Sequence, residues 1–218
     1  MAGATSVTAL AIFVKTPGLS PIKTRLAAGI GPAAAAEFYT LAVQTVAEVA
    51  AASSLAPYWA VAESEGPQHP RWAGFPTVAQ GEGGLGARLD HVFRTLQARH
   101  GSVLLIGADS PQTTPALLRD AATRCAPFVM GRAEDGGFWL FGGNRPIAAS
   151  VWTNVPYSVL DTADRLLHEL AGGVAFVATQ HDVDVAADLD ALQTGLEALA
   201  TLLPGQIALL QWLRARAA

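Results

Sequence analysis

The sequence predicts an α/β fold: one domain over residues 1–218, built on a mainly parallel sheet sandwiched by helices. Three observations carry that expectation. Strand-like and helix-like patterns alternate along the chain, as they do where helices pack on a parallel sheet. The run Val103-Leu104-Leu105-Ile106 is wholly apolar, which suits a strand covered on both faces. The 218 residues are 51% hydrophobic and 15% charged, enough for a sizeable core, and no Ser/Gly/Pro tract or charge block divides them.

The elements follow in order. Residues 8–15 are short, apolar and bounded by Pro and Gly, so they read as a buried strand. Gly31-Pro32 opens a helix, and Phe38, Leu41, Ala42, Val46 and Val49 recur at its three- and four-residue spacing. Residues 58–62 and 75–79 are strand candidates around a loop carrying Pro67 and Pro70. A helix over 85–99 places Leu85, Leu89, Val92, Phe93 and Leu96 on one face. The strand over 103–106 then delivers Gly107-Ala108-Asp109-Ser110-Pro111. Short strands over 128–130 and 138–141 sit between glycines. A helix over 159–170, a strand over 174–178 and helices near 189–203 and 207–214 complete the chain. Such a sheet receives ligands in the crevice outside the carboxyl ends of its strands.

Composition excludes several classes. Fourteen Lys and Arg against eighteen Asp and Glu leave a net charge of −4, which gives no basic footprint for nucleic acid. Cys125 is the only cysteine, so an internal disulfide and a thiolate zinc cluster are both ruled out, and a reducing cytoplasm fits best. The apolar start over 7–14 has no basic residue ahead of it and runs at once into Lys15 and Pro17, so it does not read as a signal peptide. No apolar stretch approaches the ~20 residues that cross a bilayer, so no membrane partner is expected.

The chemistry concentrates in a few places. Lys15, Lys23 and Arg25 fall within eleven residues after the first strand, with Pro17 and Gly18 between them. Cations and backbone N–H groups at a strand end suit a diphosphate; the alternative is a solvated surface loop. The Walker pattern is absent. Asp109 leaves the strongest strand and suits Mg²⁺ or Mn²⁺, which needs only one or two protein oxygens when phosphates complete the shell. Its competing role is an N-cap for the segment beginning near Pro115. Asp135, in Glu134-Asp135-Gly136-Gly137, reads equally as a substrate-facing acid beside permissive glycines and as a hairpin turn. Asp182 and Asp184 are further metal-ligand candidates, while Asp184 or Asp188 could instead cap the next helix. The segment from Gly81 to Gly86 matches Gly-x-Gly-x-x-Gly on a poor strand and reads better as a substrate loop or helix start. Arg88, one turn on, is a phosphate contact or a surface arginine. The five histidines have no paired metal spacing, and no Gly-x-Ser-x-Gly elbow is present. Trp139, Phe141 and Trp152 suit a substrate wall or the core.

Five blocks in this order and spacing resemble small bacterial proteins of the type A glycosyltransferase fold, known as nucleotide-diphospho-sugar transferases or arsenosugar-biosynthesis glycosyltransferases. They are Phe13-Val14-Lys15-Thr16-Pro17 with Lys23-Thr24-Arg25-Leu26; Gln80 with Leu85-Gly86-Ala87-Arg88-Leu89; Gly107-Ala108-Asp109-Ser110-Pro111; Asp135-Gly136-Gly137-Phe138-Trp139-Leu140; and Asp182-Val183-Asp184 with Asp188-Leu189. The fold also resembles that of 2-phospholactate and molybdenum-cofactor guanylyltransferases, so resemblance bears on fold more than on reaction. It implies a Rossmann-like domain in which Lys15, Pro17, Gly18, Lys23 and Arg25, with Gly86 and Arg88, hold nucleotide phosphates. Asp109, with Asp182 and Asp184, would hold Mg²⁺ or Mn²⁺. Asp135, Gly136 and Gly137 would face the sugar or acceptor, and Asp109, Lys23 and Asp135 would carry catalysis. The departures are Ser20 in place of a loop glycine, Arg132 in place of proline, and Val185-Ala186-Ala187 after Asp184 in place of Thr-Pro-Glu.

The expected function is metal-dependent transfer of a sugar from a nucleotide-diphospho-sugar to a small acceptor. The alternatives are nucleotidyl transfer from an NTP to a phosphorylated small molecule with release of pyrophosphate, and nucleotide binding without catalysis.

Overall fold

The computed structural model describes residues 7–217. The residues ahead of Val7, on which the expectation about a signal peptide partly turns, lie outside them. One seven-stranded sheet collects β1 (Ala9–Val14), β2 (Ala56–Val61), β3 (Thr77–Ala79), β4 (Val103–Ile106), β5 (Phe128–Ala133), β6 (Phe138–Gly143) and β7 (Val174–Gln180) in the order β3-β2-β1-β4-β6-β5-β7. β6 alone runs antiparallel, between β4 and β5, and the other strands are parallel to one another. The order reverses between β1 and β4, where the C-terminal strand ends splay open and ligands of such sheets bind.

Alternation along the two central strands builds the layers. Leu10, Ile12 and Val14 of β1 and Leu104 and Ile106 of β4 face α2 (Pro32–Ala52) and α4 (Pro115–Thr123). Ala9, Ala11, Val103 and Leu105 face α3 (Leu85–His100), α5 (Ala149–Thr153) and α6 (Thr162–Glu169). Each of these strand residues is 5% exposed or less, so this part of the sheet is covered on both sides, as the apolar runs require. A third cluster lies outside α2, where α1 (Thr24–Ile30), α7 (Asp188–Glu197) and α8 (Pro204–Ala217) close over Leu26, Phe38, Val183 and Leu196. No helix among the described residues is long and apolar enough to cross a membrane.

The helices start where local chemistry places them. Pro32 and Pro115 occupy first-turn positions that lack an intrahelical N–H partner anyway. Thr114 caps α4 by accepting from the Leu117 N–H at 3.2 Å, which leaves Asp109 without the capping role. Several elements depart from expectation: α5 is a helix where none was expected, and the helix near 189–203 ends at Glu197. Residues 15–26 are not all loop, because α1 begins at Thr24. The helix expected over 159–170 begins only at Thr162, leaving 157–161 as a separate loop. Cys125 is buried, and burial pushes its thiol up to about 12, so it is a core side chain without thiolate chemistry.

Candidate active site

The splayed strand ends enclose a cleft of about 970 Å³. Its lining brings together residues far apart in sequence: Lys15 after β1, Lys23 and Arg25 around the start of α1, Arg88 on α3, Asp109 after β4, Asp135 after β5, and Asp182 and Asp184 after β7.

The basic loop is fixed from below. The Tyr39 hydroxyl accepts from the Lys15 N–H at 2.9 Å and donates to the Lys15 carbonyl at 2.7 Å, and burial pushes the phenol well above its usual range, so it stays protonated. The Thr16 N–H donates to Glu63 at 2.9 Å, and the buried Trp72 indole donates to the Thr16 hydroxyl at 3.0 Å. Burial would raise the Glu63 carboxyl, but the polar groups of Ser20 and Thr16 beside it outweigh this and hold the group below its ordinary value. Ser20, the departure from a loop glycine, closes the turn through its N–H, which donates to the Thr16 carbonyl at 3.1 Å. Lys23 adopts a left-handed conformation, φ 44°, and its side chain is only 7% exposed. Its ammonium lies 2.6 Å from Asp109 Oδ1 and also donates to the Val183 carbonyl. Arg25 reaches Asp184 at 2.6 Å from a largely exposed position.

The acids form a second centre. Carboxylate oxygens of Asp135, Asp182 and Asp184 lie within 4.8 Å of one another. Burial and the charges of Asp135, Asp109 and Asp184 push Asp182 up to about 6. A half-buried acid so opposed by its neighbours fits a cation site, because a divalent ion relieves both the burial and the repulsion. Asp135 is oriented by the Gly137 N–H, which donates to its Oδ1 at 2.8 Å. The expected hairpin turn and the expected cleft-facing acid are therefore one structure. The loop bearing Asp182 and Asp184 is clamped as well: the Val183 N–H donates to the Asp109 carbonyl at 3.0 Å, and Asp188 Oδ2 accepts from the N–H groups of Asp184 and Val185, both at 2.7 Å. Asp188 begins α7, so it shapes this loop from the first helical turn.

His181 joins the two acidic loops. Its Nδ1 lies 3.2 Å from Glu134 and its Nε2 3.2 Å from Asp188 Oδ1, the latter an ion-pair distance without hydrogen-bond alignment. Burial pulls its pKa down, but the two carboxylates outweigh that and leave it raised.

Several expected site residues lie elsewhere. Pro17, Gly18, Gly86 and Gly136 do not line the cleft. Pro17 and Gly18 form the tight turn in which the Leu19 and Ser20 N–H groups donate to the Thr16 carbonyl at 3.1 Å. Gly86 lets α3 approach α5, since a Cβ there would overlap the Trp152 carbonyl. Gly136, at φ 88°, seats the loop before α6, because a Cβ would overlap the Leu160 carbonyl. Gly137 does line the cleft, and so does Trp139, whereas Phe141 and Trp152 are core. Sequence reading missed Tyr39, Glu63, the Val183 carbonyl and the wall from Tyr157 to Leu160. A tyrosine at a buried helix position was the one available signal, since a buried hydroxyl needs a partner.

Residues 35–159 match the family described as "Uncharacterized protein conserved in bacteria (DUF2064)". The chain belongs to this family. The match spans Asp109 and Asp135 and stops short of the Lys23 loop and of Asp182. No curated protein matches the chain. Among solved structures it is similar to a Desulfovibrio desulfuricans G20 protein provisionally described as a nucleotide-diphospho-sugar transferase, with TM-score 0.82, 23% identity, and coverage of 96% of this chain and 98% of that one. It is also similar to 4-diphosphocytidyl-2C-methyl-D-erythritol synthase from Anaerococcus prevotii, with TM-score 0.53, 11% identity, and coverage of 88% and 99%. A third likeness is to Rv0371C of Mycobacterium tuberculosis in a complex with manganese, with TM-score 0.52, 16% identity, and coverage of 89% and 100%. The fold of this DUF2064 chain is that of the nucleotide-diphospho-sugar transferases.

Proposed function

We propose that this chain is a divalent-metal-dependent glycosyltransferase of the cytoplasm, moving a sugar from a nucleotide-diphospho-sugar to a small acceptor. One observation carries the reading: the basic loop and four acids from three strand ends line a single cleft, with Lys23 touching Asp109 at 2.6 Å and three other carboxylates within 4.8 Å of one another. Asp135, Asp182 and Asp184 would hold Mg²⁺ or Mn²⁺, with Asp109 facing them across Lys23. The ion, when bound, supplies Lewis-acid charge beside the diphosphate.

The chain's own residues do the rest. Lys23 and Arg25, each already paired with an acid, are oriented toward the cleft and take up the charge that grows on the leaving diphosphate as the bond to the anomeric carbon breaks. Lys15 and Arg88 extend that cationic side, and Arg88 is anchored by donating to the Gly83 carbonyl at 3.0 Å. Asp135 and Gly137, at the β5–β6 turn, face the transferred sugar. Release of nucleoside diphosphate from a panel of sugar nucleotides, with Mn²⁺ and without, tests the reading. The likeness to 4-diphosphocytidyl-2C-methyl-D-erythritol synthase favours a second reading, nucleotidyl transfer, for which pyrophosphate would appear from NTPs instead. Neither product from a broad panel, with nucleotide binding retained, would leave a binding protein.

A further inference from the structure

Part of the cleft lining is an apolar wall. Of the large hydrophobic side chains exposed among the described residues, Leu85, Val159 and Leu160 line this cleft, at 46%, 42% and 86% exposure. Phe138 and Tyr157 lie beside them on the same lining. The Tyr157 and Thr162 hydroxyls there are already used. The Tyr157 hydroxyl donates to the Trp152 carbonyl at 3.0 Å, and the single proton of the buried Thr162 hydroxyl is shared between the carbonyls of Pro156 and Val159 at 3.1 and 2.8 Å. What faces the cleft is therefore ring and alkyl surface, with the Ser158 hydroxyl beside it.

The wall is held in place. Thr162 ties both ends of the loop, and the Ala163 N–H donates to the Gly136 carbonyl at 3.0 Å. Gly136 carries no side chain where the Leu160 carbonyl seats. The loop that exposes Leu160 is thus fastened to the turn that presents Asp135, so the apolar side chains stand next to the place assigned above to the transferred sugar. Several exposed apolar side chains gathered on one cleft mark a ligand surface, and a polyhydroxylated acceptor would find few hydrogen-bond partners on this side. A cleft of about 970 Å³ lies near the top of the usual range for one small ligand, which leaves space for a second beside the nucleotide.

We infer that the wall formed by Leu85, Tyr157, Val159 and Leu160 is the acceptor subsite, and that the acceptor is an alcohol with an aromatic or branched-alkyl body. This rests on the glycosyltransferase reading for the acceptor's role, while the preference of the wall for apolar alcohols stands on its own chemistry.

The test is titration by NMR with benzyl alcohol, cyclohexanol and glucose as probes, on the wild-type chain and on the double variant Val159→Ser/Leu160→Ser. Both positions are exposed, so the fold tolerates the change, and the thermal midpoint checks it. The two apolar alcohols are expected to bind the wild type, to bind the double variant about tenfold more weakly, and to recover with Leu160→Met; glucose is expected not to bind. Binding that ignores the double variant, equal binding of glucose, or no binding of either alcohol overturns the inference. So does a wild-type dimer that the double variant dissolves, which would make the wall a subunit interface. Stabilisation by UDP or GDP with Mn²⁺, read on the same samples, separates the two claims. If it persists while the alcohols fail to bind, the subsite alone falls; if it is absent while the alcohols bind, the transferase reading alone falls.

Discussion

Asp182→Asn should stabilise the unliganded protein near neutral pH while abolishing its response to Mn²⁺. Burial and the carboxylates of Asp135, Asp109 and Asp184 raise Asp182 from 3.8 to about 6. The folded chain therefore holds this proton more tightly than the unfolded chain does. That contribution to stability is complete below pH 3.8, is lost as pH rises toward about 6, and is gone above it. The rise corresponds to at most ~3 kcal/mol, and solvent reaching a half-buried carboxyl reduces it to ~1–2 kcal/mol. Asparagine keeps the shape without the charge. At about pH 7.5 the variant should melt roughly 2–8 °C higher, and at about pH 4 most of the difference should vanish. Calorimetry at both pH values in chelator-treated buffer reads the effect. Added Mn²⁺ at 100 times its Kd should then stabilise the wild type by ~2.7 kcal/mol and the variant far less. A variant that is less stable than wild type at the higher pH, or that gains equally at both, would refute the claim that the acids repel one another.

Lys23→Ala removes the most buried cation of the cleft and should lower turnover by about 10²–10³, measured by nucleoside diphosphate release; a loss below tenfold would remove Lys23 from the mechanism. His181→Gln loses the contacts that join Glu134 to Asp188 and hold the two acidic loops together, and should weaken Mn²⁺ affinity about 10–100-fold, read by isothermal titration, with little change in the melting of the metal-free chain. Gly136→Ala puts a Cβ into the Leu160 carbonyl at a left-handed position and should cost about 2–4 kcal/mol in urea unfolding. If that variant keeps wild-type stability, the seating of the Tyr157–Leu160 wall is wrong.

The central strands were legible because burial on both faces writes itself as unbroken apolar runs, and Asp109 follows the plainest of these. Strand direction was not. The run at Phe138 reads the same whether the chain crosses over or turns back, and the reversal of β6 depends on a tight turn at Asp135 that the residues allow without requiring. Short helices escaped for a related reason. α1 is seven residues long and buries only Leu26, too little for a period to register, yet its start places Lys23 and Arg25 on the cleft lining. The acids were found one by one and Asp182 and Asp184 were grouped with Asp109, whereas the cluster in the structure has Asp135 with them, brought there through the pairing of β5 with β7, a contact between segments some forty residues apart. The glycines show the reverse: Gly86 and Gly136 stood out as ligand contacts and instead permit close approach of backbone to backbone.

The charge arrangement bears on how such a cleft fills. Four carboxylates and four cations line it, and two ion pairs, Lys23 with Asp109 and Arg25 with Asp184, account for half of each. Asp135 and Asp182 have no cationic partner among the described residues; Lys15 and Arg88 have no acidic one. The unpaired acids sit together at the ends of β5 and β7, and the unpaired cations lie on the side of β1 and α3. A divalent ion alone would answer only the first pair and a diphosphate alone only the second, whereas the two together answer both. Binding should therefore be mutually reinforcing: Mn²⁺ should tighten nucleoside diphosphate binding, and the nucleotide should tighten Mn²⁺ by the same factor, as linkage requires. Titration of each in the presence and absence of the other checks the equality, and independent binding would mean that the two charge pairs do not serve one ligand complex.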